Sequence, residues 1–214
     1  MSESRFAPLS GVVFAALLIA STAVIRNFSF VPPADEALEI FDDRWSILTG
    51  AYLGMLSTFF LLWFAGSLWE FLQKSPTSIG RLTSTSLGGA VAAAATMLIG
   101  FVILNAGAER LAVQDALDPV AATTILDISG TILGNAAPIA FAVMIGAAGL
   151  AIYRSGVLPS WVAWASGAFA IGLASPFNWL FITLVIVWVA AMSVTISIKN
   201  RDRVAAQERS SVTL

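Results

Sequence analysis

"PVAATTILDISGTILGNAAPIAFAVMIGAAGLAIY", residues 119–153, runs for 35 residues with one charged side chain, Asp127. At about 1.5 Å per residue, a helix of that length is roughly 50 Å long. A bilayer's hydrocarbon core is about 30 Å thick and takes about 20 apolar residues. The stretch therefore reads as a membrane helix too long for hydrocarbon alone. Arg154 pins one end at an interface, so the excess projects from the other. Counting about 20 residues back from Tyr153 reaches Leu133 and leaves Asp127 about two turns beyond the core. It avoids the bilayer centre, where an unpaired charge is expensive. Two readings of Asp127 remain. It sits in wet headgroups or pairs with Arg110, Arg44 or Arg26, or it lines an outward-facing cavity. Ile125, Leu126, Ile128 and Ile132 around it look buried and favour an inward direction.

The rest of the chain has the same character. Of 214 residues, 58% are hydrophobic and 11% charged, against about 45–50% and about 25% in soluble domains. Six apolar segments are long enough to be read as spans: 9–25, 46–72, 82–104, 121–153, 158–174 and 177–198. The first resembles a signal peptide, with Arg5, "VVFAALLIA" and the small residues "STA", but its basic region is weak and it is expected to stay as a span. Six spans put both termini on one side. Arg5, Lys74, Arg81, Arg154, Lys199, Arg201, Arg203 and Arg209 share that side, eight of the eleven basic residues. The positive-inside rule makes it cytoplasmic. Asp35, Glu36, Glu39, Asp42, Asp43, Glu109, Asp115 and Asp118 fall opposite. The expected fold is all-α: a six-transmembrane-helix bundle in a bacterial plasma membrane. Helices two to four should extend outward into a small cap. Residues 1–198 form the membrane domain and 199–214 a loose cytoplasmic tail. Asp118-Pro119 and Ser175-Pro176 read as helix starts, with a cap residue followed by proline at the first helical position.

The composition excludes much chemistry. Cysteine and histidine are both absent, which removes thiolate metal sites, cysteine nucleophiles, the usual haem and zinc ligands and the commonest general base. The net charge of −2 gives no bulk basicity for nucleic acid. No phosphate-binding loop, nucleophile elbow or dinucleotide fingerprint occurs, and no mid-span lysine suggests a Schiff base. No catalytic residue, metal or cofactor is therefore expected. An intramembrane enzyme would have to rest on carboxylates such as Asp127 and Glu109.

What polarity there is gathers at one depth. Asp127, Thr131, Asn135 and Pro138 are spaced four, four and three apart, one helical face. Pro138 cannot donate to the Gly134 carbonyl, and inside a bilayer a freed carbonyl needs protein or water. Asn105 and Glu109 on the third span, and Asn178 at the start of the sixth, fall at a similar depth. Together these six polar residues suggest an outer-leaflet ligand pocket beside helix four, with polar walls and an apolar floor. The plain alternative is interhelical hydrogen bonding around a proline kink. Small-xxx-small spacings at Gly50/Gly54 and Gly130/Gly134, with the small-residue run "SLGGAVAAAATMLIG", make helix three the hub for helices two and four. Trp63 and Trp188 lie deep in their spans and are expected to pack inside. Glu70 and Lys74 form a favourable i,i+4 pair.

Four stretches carry a resemblance: the acidic loop "VPPADEALEIFDDRW", the long second helix "GAYLGMLSTFFLLWFAGSLWEFL", the small-residue third helix, and "GVLPSWVAWASGAFAIGLAS" opening the fifth span. In this order they resemble actinobacterial-type six-span integral membrane proteins of unknown function. The resemblance implies a six-helix bacterial membrane protein and transfers no residue roles. Three functions remain open: a non-catalytic ligand-handling or accessory protein, a small transporter or channel, and an enzyme. The expected partners are the lipid bilayer, a lipid-like ligand, and a second copy or another membrane protein.

Overall fold

The computed structural model describes residues 9–25, 40–41, 43–75, 79–114, 118–176 and 182–212. Six helices longer than ten residues, and no strand, occur among the described residues. They are α1 (Ser10–Val24), α2 (Arg44–Gln73), α3 (Gly80–Gln114), α4 (Pro119–Ser155), α5 (Ser160–Leu173) and α6 (Ile182–Val212). Four are long and apolar enough to cross a membrane: α2, α3, α4 and the Thr183–Arg201 part of α6. α1 and α5 are equally apolar but only 15 and 14 residues long. That is roughly 22 Å of helix each, less than the full hydrocarbon thickness the sequence suggested for all six.

The helix ends follow from local chemistry. The Asp43 carboxylate accepts from the Ser46 N–H at 3.3 Å and its hydroxyl at 2.6 Å, which caps α2. Asp118 accepts from the Val120 N–H at 3.1 Å with Pro119 in the first turn, as the dipeptide predicts. α4 stops at Gly156, whose φ of 62° is a left-handed cap that a side chain would strain. Its N–H reaches the Ile152 carbonyl at 3.0 Å, and Pro159 then precedes α5. α6 is described from Ile182 onward, and the helix start expected at Ser175-Pro176 runs into residues 177–181, which lie outside the described residues. At its far end α6 continues to Val212. Residues 199–212 contain neither glycine nor proline to stop the helix.

The helices alternate in direction. Gly11, near the start of α1, lies against Phe64 of α2 and Ser193 of α6. Lys199 of α6 donates to the Val157 carbonyl in the α4–α5 turn. Lys74, Arg81, Arg154 and Lys199 thus mark one end of the bundle, here called the basic end, where Glu70 pairs with Lys74 at 3.3 Å. α3 packs against α2 on one side and α4 on the other, the hub role its small residues predict. A Cβ on Gly54 would meet the Phe101 ring of α3 at 2.4 Å. A Cβ on Gly50 would instead meet Ile25 of α1 at 2.3 Å, so the two glycines of one motif admit two different neighbours.

Buried hydroxyls tie neighbouring helices together. Ser21 donates to the Gly50 carbonyl at 2.7 Å (α1 to α2), and Ser86 donates to the Met144 carbonyl at 3.0 Å (α3 to α4). The Trp188 indole donates to Ser166 at 2.9 Å (α6 to α5). In hydrocarbon such bonds hold helices that no hydrophobic drive brings together. Trp188 is buried, as its depth suggested, and meets Phe64 edge-on at 6.5 Å. Trp63 is not a packing residue: it is exposed on α2 and stacks edge-on with Phe59 at 5.7 Å. Depth along an apolar helix therefore does not decide which face is internal.

Away from the basic end, a second and smaller hydrophobic cluster forms. Phe41, Ile47, Leu104, Ala108, Ala122 and Leu126 bury one another there, where α2, α3 and α4 run past the end of α1.

Candidate functional site

α4 changes its winding where proline demands it. Pro138 has no N–H to return to the Gly134 carbonyl, and its ring crowds that carbonyl. The helix widens into a π turn over Ile132–Ala136, and the Ala137 N–H reaches five residues back to the Ile132 carbonyl. Pro138 then sits in the first turn of the next α segment, where a missing N–H costs little. Gly134 is not left without a partner. Single π turns are frequent at functional sites.

The π turn also splits the polar line read from the sequence. One extra residue in a turn rotates everything after it by about 100°. Asp127, Thr131 and Asn135 face outward and are exposed, whereas Pro138 is buried. The expectation that Asp127 points into the bundle is therefore corrected. Its carboxylate is exposed and makes no hydrogen bond or ion pair among the described residues. Burial of Leu126 and Ser129 beside it satisfies the apolar face without turning Asp127 inward. Asn105 and Glu109 do meet: the amide donates to the carboxylate at 2.8 Å along α3. The Asn105 carbonyl oxygen is buried and has no hydrogen-bond partner among the described residues. Asn178 lies outside the described residues. Among the five described residues, Asn105 and Glu109 are the pair joined by a hydrogen bond. Asp127→Ala is expected to shift stability by no more than about 0.5 kcal/mol, as for exposed sites without partners. Thermal melts of the two proteins in one detergent check this.

A cavity of ≈ 600 Å³ lies on the other side of the π turn. Its walls come from four helices, in the half of the bundle away from the basic end. α4 contributes Leu133, Ala137, Pro138 and Phe141, and α3 contributes Met97, Phe101 and Leu104. Facing them are Leu18, Ile19, Thr22 and Ile25 of α1, with Thr183, Val185 and Ile186 of α6. The space exists because α1 and α6 are tight against each other only lower down, where Gly11 meets Ser193. Higher up, the same face of α1 looks into the cavity. Phe141 is part of the wall and packs against the buried ring of Phe14 one turn below Leu18, their ring centroids 6.3 Å apart. None of the described lining residues is charged.

Sequence reasoning missed this lining except for Pro138. Met97, Phe101 and Leu104 are spaced as core residues are, and only their partners across the gap make them walls. Among the described lining residues the only polar side chains are the hydroxyls of Ser21, Thr22 and Thr183. Among the described residues no group of His, Cys, Asp and Glu could hold a metal ion. What the arrangement can do is hold an apolar body of limited size. No family model, curated protein or solved structure matches this chain.

Proposed function

We propose that the chain is a six-span bacterial plasma-membrane protein, akin to the actinobacterial-type proteins it resembles, that holds a lipid-like molecule without reacting with it. The apolar cavity beside the π turn, lined by Phe141 with Phe14 packed behind it, carries this reading. Its volume falls within the range of about 300–1,000 Å³ usual for small-molecule sites. In this reading the basic end is cytoplasmic. α1 and α5 complete the crossing as short spans that the bilayer accommodates by thinning. The cavity then opens in the outer leaflet, and the Phe41–Leu126 cluster forms the cap above it.

Native mass spectrometry of the purified full chain tests the ligand. The protein should carry one small amphiphile through detergent exchange, and Ala137→Phe, which fills the cavity, should release it. A protein that emerges bare, and stays bare when amphiphiles are added, overturns the reading. Topology is tested separately, and the absence of native cysteine makes the test clean. A cysteine at Val120 should react with an impermeant thiol reagent in intact cells, and one at Ser160 only after permeabilisation. The reverse pattern would invert the orientation.

A further inference from the structure

We infer that the cavity selects an uncharged, single-chain amphiphile whose head donates hydrogen bonds, such as a long-chain alcohol or monoacylglycerol. This rests on the reading of the cavity as a ligand site and names what it takes. Three features carry it.

The first is size. At about 30 Å³ for each water-sized group, 600 Å³ holds on the order of 20 heavy atoms. One acyl chain with a small head fits that space, and a two-chain phospholipid does not. The second is charge. None of the described lining residues is charged, and a carboxylate or phosphate drawn into an apolar site without a counter-charge is strongly disfavoured.

The third is hydrogen-bond direction at the rim, where two exposed threonines, Thr22 and Thr183, stand on α1 and α6. A hydroxyl has one donor and two acceptor positions. The Thr22 hydroxyl already donates to its own helix, at the Ile19 carbonyl (2.9 Å) and the Leu18 carbonyl (3.1 Å). It therefore offers a ligand only acceptor capacity. A ligand O–H can meet it; an ionised carboxylate, which only accepts, cannot. The Thr183 hydroxyl makes no hydrogen bond among the described residues and can serve the same head in either direction. Ser21 also lines the cavity, but its hydroxyl is committed to the Gly50 carbonyl and holds α1 on α2.

The test uses three probes with one chain and different heads: 1-monooleoylglycerol, oleate and oleoyl-lysophosphatidylcholine. Each is added to the full-length protein in nanodiscs of dioleoylphosphatidylcholine, and the adduct is weighed by native mass spectrometry. Monooleoylglycerol should bind at least about fivefold more tightly than either other probe, the worth of roughly one hydrogen bond. Thr22→Val should lower its binding about tenfold, since the ligand donor is then left unpaired. Thr22→Ser should restore it. Thr22 is exposed, so these variants should fold as the parent does. Equal or tighter binding of oleate or the lysolipid overturns this inference and leaves the ligand-site reading intact, as does an unaltered Thr22→Val. Retention of the two-chain host lipid in place of all three probes overturns the size argument. No adduct with any lipid overturns the ligand-site reading itself.

Discussion

Gly89→Ala is expected to cost about 2–3 kcal/mol, the largest effect of a single added methyl in this chain. A Cβ at position 89 would stand 2.5 Å from the Met144 nitrogen, 2.9 Å from its Cα and 3.1 Å from the Val143 carbonyl carbon. These are backbone atoms of α4 and cannot turn aside as a side chain can. α3 and α4 must move apart until contact is ordinary, which also strains the Ser86 hydrogen bond to the Met144 carbonyl, now 3.0 Å. Overpacking a close interface costs about 1–3 kcal/mol, and loss of the bond adds about 1 kcal/mol. Gly88→Ala is the control. Nothing lies within 4 Å of its added Cβ, and alanine favours helix over glycine by up to about 1 kcal/mol. The neighbouring variants should therefore move in opposite directions, or Gly88→Ala should match the parent, in thermal melts of the purified protein. Equal melting of Gly89→Ala and the parent would mean that the two backbones do not approach this closely.

Phe14→Ala should be the next largest. The ring is fully buried and packs against Phe141, which lines the cavity. In a soluble protein the loss would combine transfer and cavity terms. In the bilayer setting proposed above the separated helices would keep the ring in lipid, so the transfer term largely drops out. What remains is about 24 cal/mol per Å³ over roughly 100 Å³ of lost side chain, or about 2.4 kcal/mol. The variant also deepens the cavity towards the basic end. A bound amphiphile with a longer chain should recover part of the loss in Phe14→Ala and give no such extra gain in the parent. Melting with a series of chain lengths measures this; an identical chain-length response in both proteins would mean that the space left by Phe14 does not join the cavity.

The sequence by itself determined the helical class, the positions of the long helices and the Asp118-Pro119 start of α4. Hydrocarbon length, Asp118-Pro119 and the Glu70–Lys74 spacing are local, and each acts through a few neighbouring residues. The hub position of α3 was also legible, because a run of small residues has few other uses. Only the tertiary structure decided which face of each helix is inside. In a membrane segment lipid-facing and core-facing residues are equally apolar, so Trp63 and Trp188 look alike until their neighbours are placed. The Asp127–Thr131–Asn135–Pro138 line assumed an unbroken 3.6-residue winding, and the π turn forced by Pro138 rotates its lower end away from the upper. The cavity is more remote still from the chain's order. It is space left where α1 and α6 part opposite α3 and α4, and a void between four helices has no residue of its own to announce it.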